Sequence, residues 1–155
     1  MAGKHSPNTL RSYLAIHETV MQRLRRDGFV ESDDLSVVPL GGGAIMMEGQ
    51  IRCEGGLVCT VEKILAIVDA TDGDNPLVQT VRFAYNVHVA GHHNLFRYDN
   101  VHAYQGHADA SHRHAFDWRT GEAGEIRWVG SSWPTLGEVL EEARAWFWEH
   151  RQELT

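Results

Sequence analysis

The sequence predicts an α+β domain: a single antiparallel β-sheet of about five to six strands, packed by an N-terminal and a C-terminal helix. Three observations predict it. Apolar residues recur at helical spacing near the two ends of the chain, over about 7–27 and 135–151. Between them, over about 44–129, the chain alternates apolar and polar residues with the period of two that gives a strand one buried face. The strand-like runs are joined by short turns rich in Gly, Asp and Asn instead of helices, which favours antiparallel pairing. At 155 residues, 43% apolar and 23% charged, residues 1–155 read as one ordinary globular domain.

The first helix opens on Ser6-Pro7, an N-cap followed by proline in the first turn, and stops at Gly28. Leu10, Leu14, His17, Met21 and Leu24 form its apolar stripe, where His17 reads as a packing residue. Arg23, Arg25 and Arg26 read as a solvated face near the negative end of the helix dipole. Val37-Val38 suggests a short strand, and Gly41-Gly42-Gly43 a connector or bulge. No phosphate-binding signature follows those glycines.

Residues 44–54 and 57–68 read as a hairpin turning on Gly55-Gly56, with Cys53 opposite Val58, Arg52 opposite Cys59 and Glu48 opposite Lys63. That register points Cys53 and Cys59 to opposite faces, so a disulfide would need a change of register, and their spacing is long for a zinc half-site. The aspartates of 69–76 lack the spacing of a calcium loop. Residues 78–89 form the clearest strand, with Val81, Phe83, Tyr85, Val87 and Val89 on one face and Thr80, Arg82, Ala84, Asn86 and His88 on the other. Leu95–Asn100 pairs back on it, and strands near His112–Trp118 and Ile126–Val129 complete the sheet. Thr135-x-x-Glu138 is a capping box for the last helix, whose buried stripe is Leu136, Val139, Leu140, Ala143, Trp146 and Phe147. Trp133, Trp146 and Trp148 read as packing residues.

The longest apolar run, Ile64–Val68, is far below the ~20 residues of a membrane helix. Met-Ala-Gly-Lys-His-Ser-Pro has no signal-peptide core, so a cytoplasmic location and no membrane partner are expected. The net charge of −7 argues against a nonspecific nucleic-acid coat, though not against an enzyme holding one RNA strand locally. Protonating all ten histidines would carry that charge to about +3, so it depends steeply on pH near ~6.5.

Seven of the ten histidines fall between residues 88 and 114. His112 and His114, two apart on a strand, project from one face with Cα atoms roughly 6.5 Å apart. Two imidazoles so placed can flank a phosphodiester, one taking a proton from the attacking hydroxyl and the other giving one to the leaving oxygen. Arg97, Arg82 or Arg113 would stabilise the charge on phosphorus. RNA brings its own 2′-hydroxyl nucleophile, so this chemistry needs no cofactor. The same pair could instead hold a divalent metal such as zinc, with a third ligand from His107, His102 or Asp99. Tyr98-Asp99-Asn100 reads as a strand end entering a turn, with Asp99 placed to orient a histidine. His88 and Asn100 complete the candidate substrate-binding set with Arg82.

At Arg97-Tyr98-Asp99-Asn100, then Gly106, then His112-Arg113-His114, the chain resembles the TumE-type toxin family of prokaryotic toxin–antitoxin pairs. Members typically carry Tyr-Asp-Asn, a short glycine-containing stretch and Asp-His-Arg-His. The resemblance spans about residues 45–150, with its motifs inside 97–114. Ser111 stands where the family has aspartate, and the gap between Asn100 and His112 is longer. The resemblance implies growth inhibition, with a small helix-turn-helix antitoxin encoded nearby as partner, and leaves a homodimer open. The expectation is a toxin acting as a metal-independent ribonuclease through His112 and His114, with Arg97 or Arg113 on the phosphate and Tyr98 and Asp99 in support. A metal-dependent hydrolase using Asp99, His107, His112 and His114 is the first alternative. A non-catalytic protein-interaction domain, which the acidic charge suits, is the second.

Overall fold

The structure is a computed structural model that describes residues 6–101, 111–129 and 133–154. In chain order the elements are β1 (Asn8–Thr9), α1 (Leu10–Arg26), β2 (Val30–Asp33), β3 (Ser36–Gly41), β4 (Ala44–Cys53), β5 (Leu57–Asp69), β6 (Leu77–Val89), β7 (Asn94–Asp99), β8 (His112–Phe116), β9 (Ala123–Trp128) and α2 (Leu136–His150). The strands form one antiparallel sheet in the order β2-β4-β5-β6-β7-β8-β9, with β3 also on β4 and β1 also on β6.

The sheet is larger than expected: it has nine strands among the described residues, not five to six, although the architecture is still α+β. β1 is two residues long, and β3 has no buried face, since Val37, Val38 and Leu40 are all exposed. Neither gives a periodic signal. The triple glycine is a hairpin turn between β3 and β4, not a flexible connector. Gly42 and Gly43 both have positive φ, 61° and 77°, the backbone that a tight two-residue turn demands.

The β4–β5 hairpin differs from the expected register by one residue. Its loop is Glu54–Gly56, three residues long, so Arg52 faces Val58, Ile51 faces Cys59 and Met47 faces Lys63. Glu48 therefore sits opposite Glu62, two exposed carboxylates, and Lys63 moves to the buried side. Cys53 and Cys59 share the core face as free thiols. Gly55 accommodates the ring of Phe147, since a Cβ there would lie 2.2 Å from Phe147 Cε1.

The alternation of β6 breaks at Val81. Ile64 pairs with Arg82 and Leu65 with Thr80, so Val81 is the extra residue of a bulge. Beyond it the core side is carried by Val78 and Thr80, while Val81 is exposed.

Both helices pack on one face of the sheet. Met21 and Leu24 of α1, with Val139, Leu140, Ala143 and Phe147 of α2, meet Val61, Phe83, Tyr85, Val87, Phe96 and Tyr98. α1 starts three residues later than Pro7 would give. Thr9, not Ser6, is the N-cap, accepting from Ser12 N at 3.2 Å, because residues 8–9 pair with β6 first. The Thr135–Glu138 capping box of α2 is present. Trp133 is buried against Phe83, with ring centroids 5.3 Å apart, and Trp146 packs on the core edge. Trp148 is exposed and stacks on Arg151. The arginines of α1 are tied to acidic neighbours, Arg23 to Glu141 and Arg25 to Glu18 and Asp33. Among the described residues no helix is long and apolar enough to cross a membrane.

Candidate active site

The face of the sheet away from the helices carries the polar cluster. β7 and β8 pair with Asp99 opposite His112 and Arg97 opposite His114. Residues two apart share a face, so all four project together while Phe96, Tyr98 and Arg113 project toward the helices. On β6, Ala84 lies opposite Asp99, and its small side chain leaves room for the carboxylate.

Asp99 is the centre of the cluster and is only 1% exposed. Arg97 Nε donates to its Oδ2 at 2.8 Å, and His114 Nε2 lies 3.4 Å from the same oxygen. His112 Nδ1 lies 3.8 Å from Oδ1, which also accepts from Val101 N at 3.3 Å. The two imidazole centroids are 6.3 Å apart, as same-face neighbours on a strand should be. Their accessibility differs. His112 is 2% exposed, whereas the side chains of His114 and Arg97 are 22% and 36% exposed. A ligand on this face reaches His114 and Arg97 and meets His112 only through Asp99.

The other expected site residues lie elsewhere. Tyr98 and Arg113 converge on Glu142 of α2, with Tyr98 Oη donating to Oε1 at 2.7 Å and Arg113 Nη2 to Oε2 at 3.0 Å. Burial and the bond to Glu142 push the Tyr98 hydroxyl up to about 12, which keeps it a donor. The Arg113 guanidinium covers the Phe96 ring at 4.9 Å. This trio clamps α2 to the sheet.

Asn100 is structural too. Its Oδ1 accepts from Phe83 N at 2.9 Å and its Nδ2 donates to Val81 O at 3.1 Å. The amide thus pairs with the β6 backbone at the bulge, where β7 ends. Arg82 joins Arg97 and Glu62 around a cleft of about 20 Å³, room for a single water. His88 is four residues along β6 from Ala84, roughly 13 Å at ~3.3 Å per residue. Its imidazole is lowered by burial. His102 and His107 lie outside the described residues, and among the described residues no three His, Cys, Asp or Glu side chains form a set that could hold a metal ion.

Sequence reasoning did not single out two residues that matter. Glu142 leaves no signal beyond its place on α2. Lys63 does leave one: it interrupts the alternating series Leu57, Cys59, Val61, Leu65, every other member of which is apolar.

Comparison with protein-family models, curated proteins and solved structures finds no match for this chain. The resemblance to the TumE-type toxins therefore rests on this chain's sequence alone, with its motifs between Arg97 and His114.

Proposed function

We propose that this chain is the toxin component of a toxin–antitoxin pair and acts as a metal-independent endoribonuclease at the Asp99 cluster. The observation that carries the reading is one buried carboxylate holding an accessible imidazole and an accessible guanidinium side by side, as an orienting acid, a proton-transfer group and a phosphate anchor would be held. Arg97 engages a non-bridging phosphate oxygen. His114 takes the proton from a ribose 2′-hydroxyl, whose oxygen attacks phosphorus. The bond from phosphorus to the 5′-oxygen breaks, leaving a 2′,3′-cyclic phosphate and a 5′-hydroxyl, the latter protonated by His114 or by water. Asp99 orients His114, and His112 packs behind Asp99, in place of the two-imidazole arrangement expected from sequence.

His114→Ala tests this. Its partial exposure makes the substitution tolerable to the fold. Cleavage of total RNA and growth arrest on induction should both fall by about 10²–10⁴-fold, the usual scale for loss of a general acid–base group. Unchanged growth arrest in a folded H114A protein would refute the assignment. A nearby helix-turn-helix protein should relieve the arrest when co-expressed.

One observation favours the non-catalytic alternative. β9 is an edge strand that is exposed along its whole length, with Ile126 and Trp128 turned to solvent on the rungs of His114 and His112. An open edge of that kind can receive a strand from a protein partner. Growth arrest without RNA cleavage, abolished by Ile126→Lys and untouched by H114A, would select this reading.

A further inference from the structure

On the helix side of the sheet, α1, the first turn of α2 and strands β5 and β6 do not close on one another. They leave between them a half-open cavity of about 340 Å³. That is more than twice the ~150 Å³ of a cavity that accepts benzene. Ile16 and Val20 of α1, Val78 of β6 and Leu136 of α2 give it largely apolar walls. No Asp or Glu is among the described residues that line it.

One strong cation enters this apolar space. Lys63 projects from the middle of β5 and is 6% exposed. Its ammonium stands 4.9 Å from the Tyr13 ring centroid and 5.9 Å from that of Tyr85. Aromatic faces attract a cation but carry no counter-charge. Among the described residues no carboxylate forms an ion pair with Lys63. Burial alone lowers the ammonium to about 8, which leaves it mostly protonated at neutral pH. Of the titratable groups of α1 at the cavity, His17 is lowered by burial and by Lys63 itself, and burial pushes the Tyr13 hydroxyl up to about 12, so neither supplies a negative charge at neutral pH. A methionine would fill the same position without the cost of burying a charge. A lysine there is explained by something that brings the missing anion.

We propose that the cavity binds a small apolar monocarboxylic acid, its carboxylate paired with Lys63 and its hydrocarbon part lying along Ile16, Val20, Val78 and Leu136. One cation and a mostly apolar wall match a single negative charge on an aliphatic body. A phosphate group would leave its second negative charge without a cation, since Lys63 is the one Lys or Arg among the described residues that line the cavity. The site lies across the sheet from Asp99 and does not depend on the ribonuclease reading.

The test uses the full chain with octanoate and 1-octanol, which share a chain length and differ in charge. Calorimetry at pH 7 should show octanoate binding at least tenfold more tightly than octanol. Amide resonances of Ile16, Val20, Thr80 and Gly137 should shift on titration. Lys63→Met should lose at least tenfold in octanoate affinity and keep or improve octanol binding. Ile16→Trp, at the solvent-exposed rim, keeps Lys63 and should weaken both ligands, so it decides the matter even if K63M does not fold. Equal affinity for acid and alcohol, octanoate binding unaffected by either substitution, or no octanoate binding overturns the proposal.

Discussion

Replacing Lys63 by methionine should stabilise the protein at neutral pH, and the gain should disappear in alkali. Burial lowers the Lys63 ammonium from its ordinary 10.5 to about 8. A lowering of about 2.5, at ~1.36 kcal/mol per pH unit, amounts to about 3 kcal/mol. The sign follows from proton counting. Between pH 8 and 10.5 the unfolded chain holds a proton that folded Lys63 has released, so stability rises with pH through that window. Below about pH 8 the penalty of burying the ammonium is fully present. Wild-type stability alone mixes this rise with opposing groups. Burial pushes the Cys53 thiol from 9.0 up to about 12, raises Cys59 as well, and pushes the Tyr13 hydroxyl from 10.0 up to about 12. Each keeps its proton in the folded state after the unfolded chain has lost it, so each removes stability above its unfolded value. The wild-type profile should therefore climb from pH 8 to 9 and then fall. Subtracting wild type from K63M cancels the shared groups, and His17 titrates below the window. Urea unfolding followed by tryptophan fluorescence, at intervals from pH 7 to 10.5, should show the K63M advantage shrinking by about 3 kcal/mol. An advantage that stays constant across that range would mean that Lys63 is not desolvated, and the premise of the cavity site would go with it.

Two further substitutions test how the framework holds the site. Asn100→Ala removes the side chain that pairs Phe83 N and Val81 O and should cost about 1–3 kcal/mol, the usual penalty for leaving a buried backbone group unpaired. A change below ~0.5 kcal/mol in urea unfolding would show that the Asn100 amide does not hold the β6 bulge. Gly55→Ala places a Cβ 2.2 Å from the Phe147 ring at a φ of 75°. The left-handed backbone alone costs roughly 1–2 kcal/mol, and Phe147 must also move. Thermal unfolding should fall by several degrees, and an unchanged midpoint would show that α2 is not seated against this turn.

The strands legible in the sequence are those with one buried and one exposed face. Phe83, Tyr85, Val87 and Val89 of β6 and Phe96 and Tyr98 of β7 face the core as their alternation requires. Where the structure departs from that pattern within a strand or hairpin, it does so by one residue. A three-residue loop at Glu54–Gly56 in place of a two-residue turn moves Lys63 from the solvent side to the core and brings Cys53 and Cys59 to one face. The bulge at Val81 exchanges the faces of the N-terminal third of β6. The β4–β5 register is legible in the apolar alternation of Ile45, Met47, Ile51 and Cys53 against Leu57, Cys59, Val61 and Leu65, and it is the assumption of a two-residue turn that shifts it; the bulge at Val81 is not legible, because a slip by one leaves the composition unchanged while reversing every side chain. Strands β1 and β2 are hidden for a different reason, since at two and four residues they are too short to carry a pattern, while β3 shows only as Val37-Val38. At the candidate site, spacing alone puts Arg97 with Asp99 and His112 with His114; that the two pairs share one face is set by the β7–β8 register. Nor does spacing give the burial of His112.

Alternation also decides between the two arginines that the motif offers. Arg97 and Arg113 lie on the same pair of strands, and residue type alone offers no reason to prefer one. Arg113 is paired in register with Tyr98 and so points to the helix side, where Glu142 takes its guanidinium. Arg97 is paired with His114 and points to the open side, where Asp99 takes its Nε. A guanidinium is permanently charged and presents five N–H donors. With Nε engaged at Asp99, the Nη groups retain donor capacity for a phosphate on the open face. The same contact gives the buried carboxylate a permanent cation whatever the protonation state of His114, so His114 can exchange protons without leaving Asp99 unpaired. On the proposed ribonuclease reading, this arrangement makes Arg97 the anchor and His114 the proton-transfer group, both beside Asp99. Arg113 therefore belongs to the framework.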